Sequence, residues 1–107
     1  MQAVAHATSF TEDTLTGIEL DLDAVQNTLS SAITPVGISP IHARQYVSFA
    51  AADTNPAYLH ICEGATRLSD GRTDGTTGKL ISYLVSDFVK GMTVNEPVEP
   101  AKKAMKV

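Results

Sequence analysis

The chain predicts a small α/β domain built on a parallel strand–helix–strand–helix core. Three observations carry this reading. Ile18, Leu20 and Leu22 alternate with Glu19, Asp21 and Asp23, the period of a half-buried strand. Ala57 to Cys62 is a short, nearly apolar run, as expected of a strand covered on both faces. Each run is followed by a stretch of helical period, first Ala43, Tyr46, Val47 and Ala50, then Leu80, Ile81, Leu84, Val85 and Phe88. With one crossover helix between two strands, a right-handed parallel unit is the default.

The bounds agree with one small domain. The chain has 107 residues and a net charge of −4, and its isoelectric point is near 5.1. That balance argues against a nucleic-acid or anionic-membrane partner. The single Cys62 excludes an internal disulfide and a cysteine zinc cluster, which fits a reducing, cytoplasmic setting. No apolar run approaches the roughly 20 residues of a membrane span, and no signal peptide is evident.

Taken in order, residues 1–15 read as a lead-in loop with little periodicity, where His6 is a solvated side chain. Residues 16–91 form the domain. After the acidic strand, Gln26 to Ser39 is Ser/Thr-rich and broken by Pro35 and Gly37, so it reads mostly as loop, with at most one helical turn around Val25, Leu29, Ala32 and Ile33. Ser39 then suits a helix N-cap and Pro40 the first helical position. His42 and Arg44 fall on the solvent side of that helix, and Asp53-Thr54-Asn55-Pro56 stops it. In the second strand His60 reads as a hydrogen-bonded core histidine and Cys62 as a small core residue. Gly64 to Thr77 is a second long loop. Asp70 to Gly75 fails as a calcium loop because Arg72 and Ile81 stand at liganding positions, and Gly78-Lys79 lacks the flanking residues of a phosphate loop. Thr76 or Thr77 caps the last helix, which Lys90 and Gly91 end. Residues 92–107, with Pro97 and Pro100, read as an extended, mobile tail.

The chemistry-bearing residues are acids. Strand geometry sets Asp21 and Asp23 roughly 7 Å apart on one side. Two such carboxylates coexist if solvated, protonated or bridged by a cation, and hard ions such as manganese or magnesium prefer oxygen ligands. On spacing alone, a wet acidic strand face ranks ahead of a metal site. Glu63 follows the second strand, so parallel strands would bring Asp21, Asp23 and Glu63 to the same end of the sheet, where open α/β sheets bind their ligands.

Glu19-Leu20-Asp21-Leu22-Asp23-Ala24-Val25 resembles the late Asp-x-Asp metal motif of the arginase superfamily, which includes arginase, agmatinase and formimidoylglutamase. The resemblance continues through Pro35 to Pro40, the helix Ile41 to Asp53, the strand to Glu63, and Val85 to Val89. It spans about Thr16 to Gly91 and is greatest for the formimidoylglutamase branch. It implies the C-terminal part of a three-layer α-β-α arginase-like fold and a dinuclear manganese hydrolase of linear amidines or guanidines, such as formiminoglutamate, arginine or agmatine. In that reading Asp21 bridges two manganese ions, Asp23 holds one of them, and Glu63 is the catalytic and substrate-binding acid that faces the guanidinium or formimino group. The family's serine before the motif is Glu19 here, and Gln26-Asn27 replaces its Asp-Pro. The family's earlier Gly-Gly-Asp-His and Asp-x-His-x-Asp motifs do not occur. The expectation is therefore an inactive C-terminal portion of such an enzyme. The rival is a non-catalytic α/β binding or assembly module. Unpaired strand edges would favour self-association, with residues 1–15 the candidate cover, as an extra strand.

Overall fold

The computed structural model describes residues 2–94. The elements are α1 (Gln2–Phe10), β1 (Ile18–Asp21), α2 (Pro40–Thr54), β2 (Leu59–Cys62) and α3 (Thr76–Val94), with a short 3-10 turn over Leu22–Ala24 after β1. β1 and β2 pair in parallel with Ile18 opposite Leu59 and Asp21 opposite Cys62. The molecule is thus a small mixed α/β domain on a two-stranded parallel sheet. No helix among the described residues is long and apolar enough to cross a membrane.

The alternation in β1 divides the sheet into two unlike faces. Ile18 and Leu20 are buried while Glu19 and Asp21 are exposed. Residues opposite each other in the ladder share a face, so Leu59 and Ile61 join the buried side and His60 the open one. The buried side packs on the helices. Leu20, Leu22, Val25, Ala43, Val47 and Leu84 form one cluster; Ile18, Ala50 and Ala51 form a second. Fully burying an aliphatic side chain stabilises by about 1.5–3 kcal/mol, so Leu22, Val25, Val47 and Leu84, each without solvent exposure, carry much of the fold.

α2 starts as the sequence indicates. The Ser39 hydroxyl accepts the His42 N–H at 3.1 Å, and Pro40 takes the first turn. Its end is set by Asn55 in the left-handed region (φ 48°), a conformation asparagine tolerates well. The cap of α3 is Asp74 rather than Thr76 or Thr77: its carboxylate accepts the Thr76 N–H and the Thr76 hydroxyl.

α2 and α3 run parallel, since Arg44–Asp87 and Ser48–Gly91 each join residues 43 positions apart. Arg44 does not simply face solvent, as its position predicts. It donates from Nε and Nη2 to both oxygens of Asp87 at 2.8 and 3.0 Å and lies 4.5 Å from the Tyr83 ring centroid. Asp87 keeps only 11% of its side chain exposed, so the fork-to-fork pair compensates a carboxylate that would otherwise be desolvated.

Other differences from the sequence reading have local causes. Residues 2–10 form a helix rather than a loop or an added strand. Its Ala-rich sequence favours helix, and Val4 and Thr8, one turn apart, dock it on the Ile18–Ala50 cluster. The strand ends at Asp21, so Leu22 and Asp23 leave the alternation. No helical turn forms around Ala32 and Ile33. That loop is instead clipped to the acidic turn by Gln26 N–H to Ile38 O and Ile38 N–H to Ala24 O. β2 is covered on one face only, with His60 exposed and Cys62 half-buried. α3 runs through Gly91 to Val94, taking in residues 92–94; residues 95–107 of the expected tail lie outside the described residues.

Gly91 is buried where the helices cross. A Cβ there would sit 2.7 Å from the Ser48 carbonyl oxygen and 2.8 Å from Ala51 Cβ. Glycine is used here for close approach, not as a terminator. Gly91→Ala should therefore destabilise the chain although alanine is the better helix former. Overpacking costs about 1–3 kcal/mol against a propensity gain of about 1 kcal/mol. The readout is a lower urea midpoint at unchanged m-value; an unchanged or raised midpoint would contradict the close crossing.

Candidate functional site

The parallel register fixes which acids meet. Asp21 pairs with Cys62, so the residues that follow, Asp23 on one strand and Glu63 on the other, leave the sheet at the same end. The 3-10 turn replaces the extended continuation expected after Asp21. Asp21 Oδ1 accepts the Asp23 N–H at 2.8 Å and so caps that turn. The two aspartates are therefore related by a cap hydrogen bond rather than by strand alternation. Asp21 is exposed and Asp23 half-buried. Asp23 Oδ1 is buried and accepts no hydrogen bond.

Glu63 is exposed and adopts φ 70°, a left-handed conformation that costs a non-glycine residue roughly 1–2 kcal/mol. The next residue explains how the chain can turn so tightly. A Cβ on Gly64 would clash with Leu22 Cδ1 and come within 3.3 Å of Thr77 Cγ2. The backbone after β2 thus presses against the turn that follows β1, which keeps Glu63 at the end of the sheet that carries Asp21 and Asp23.

The open sheet face continues this polar region. His60 Nδ1 and Glu19 Oε1 are 2.7 Å apart, and the Tyr46 hydroxyl donates to the Glu19 carbonyl at 3.1 Å. The His60 ring, and then the Tyr58 hydroxyl, hold the Glu19 carboxyl below its ordinary range. Desolvation pushes the Cys62 thiol up, and the charges of Asp21, Glu63, Glu19 and Asp23 add to that. A thiol held protonated in this way is a poor nucleophile, in keeping with a packing role. His60 is hydrogen-bonded as expected but stands on the open face, not in a core. The Glu19–His60 pair escapes the sequence because the two residues are 41 positions apart; only the register, which sets Glu19 opposite His60, reveals it.

The arrangement offers hard oxygen donors at one end of the sheet. Among the described residues, no three His, Cys, Asp or Glu side chains are grouped closely enough to hold a metal ion. Asp21, Asp23 and Glu63 share an end without forming such a group. No protein-family model matches the chain, and no curated protein matches it.

The Glu19–His60 contact on the open face makes a testable statement. Glu19 is depressed in the fold, so the pair stabilises above the ordinary glutamate pKa of about 4.3. That contribution is lost as pH falls through the lower folded value. His60→Phe should return the Glu19 carboxyl toward its ordinary range, read from the pH dependence of its side-chain carboxyl carbon by NMR. An unmoved titration would show that another group depresses it.

Proposed function

We propose that this chain is the C-terminal part of a dinuclear-manganese C–N hydrolase of the arginase superfamily, nearest the formimidoylglutamase branch, acting on a linear amidine or guanidine such as formiminoglutamate, arginine or agmatine. The observation that carries the reading is the parallel register, which gathers the motif aspartates and Glu63 at one end of the sheet. The donor chemistry fits the metal. Asp23 Oδ1 is a buried acceptor with no donor, a state that costs about 1–3 kcal/mol or more for a charged group and that a cation relieves. Asp21 and Asp23 would hold the manganese pair, which when bound supplies Lewis acidity and an activated water.

The chain's own residues would act as follows. Asp21 caps the turn that carries Asp23 and so sets the position of the second carboxylate. Glu63 offers a carboxylate to the planar N–H groups of an amidinium, a charge-assisted, bidentate match. Its constrained backbone limits where that carboxylate can swing. Two aspartates are an incomplete ligand set, so this chain alone is a weak metal binder and does not turn over substrate.

The assembly reading keeps two supporting observations: Val85 and Val89 on α3 are 47% and 53% exposed, and the two-stranded sheet has two outer edges. In that reading the chain self-associates, and the fold serves without chemistry. Light scattering across a concentration series separates a monomer from an assembly.

Titration with manganese, followed by paramagnetic broadening, should affect Asp21, Asp23 and Glu63 first and saturate only weakly. Broadening centred elsewhere, or tight binding of two ions per chain, would defeat the assignment. In a full-length enzyme carrying this segment, Asp21→Ala or Asp23→Ala should abolish metal content and activity together. Glu63→Gln should lower turnover while metal is retained. Normal activity with Asp21→Ala would overturn the motif.

A further inference from the structure

We draw no further inference here: the strongest candidate, the exposed apolar face of α3 around Val85 and Val89, is an unpartnered surface, and nothing in the structure shows what covers it.

Discussion

The backbone contact between Gly91 and Ser48 sets the spacing of the two parallel helices, and the rest of the structure depends on that spacing. With no side chain at 91, α3 approaches α2 closely enough for Arg44 to reach Asp87 with both arms of its guanidinium. The same approach closes Leu84 over Val47 and Ala43 in one cluster. The helices in turn cover one face of a sheet of only two strands. Such a sheet has little stability of its own, and it persists because Ile18, Leu20 and the half-buried Leu59 and Ile61 rest on that helical layer.

The division of the sheet into unlike faces separates its apolar from its polar side chains. On the helix side the sheet packs through aliphatic and aromatic side chains. On the other side Glu19, Asp21 and His60 stand in solvent, and the strand ends deliver Asp23 and Glu63 beside them. Like charges on one side of the sheet repel, and the Cys62 thiol, raised first by desolvation, is raised further by their field. Tyr46 links the two sides: its ring packs with the core while its hydroxyl meets the Glu19 carbonyl at the edge of β1. A polar edge group satisfied in this way is less available to a foreign strand.

Much of the architecture was legible because it rests on periodicity and local chemistry. The β1 alternation, the Ser39–Pro40 start and the α3 stripe are signals carried by neighbours in sequence, and each appears in the fold, save that Val85 of the stripe stays exposed. What was not legible depends on distant partners. Residues 2–10 have no strong pattern, and they become a helix through docking of Val4 and Thr8 on residues far along the chain. Gly91 reads as a terminator when only local propensity is weighed; the facing Ser48 and Ala51 give it another purpose. Arg44 reads as a surface residue until Asp87 is placed beside it. For the candidate site, the placement of Asp21, Asp23 and Glu63 at one end of the sheet followed from strand order and parallel pairing. The turn that takes Asp23 off the strand did not, because Asp21 serves as a cap through its own side chain.

Glu63 sits in a backbone conformation suited to glycine or asparagine. Its carboxylate is therefore held at a thermodynamic disadvantage, in a domain small enough for such a disadvantage to matter. Position 63 is a point where the most stable sequence and the acidic sequence diverge. A variant library sorted only for heat resistance would drift toward glycine or asparagine there and shed the carboxylate. Sorting that also demands an acid at position 63 would keep it. Sequence optimisation for stability alone would thus erase this acid while leaving the fold intact.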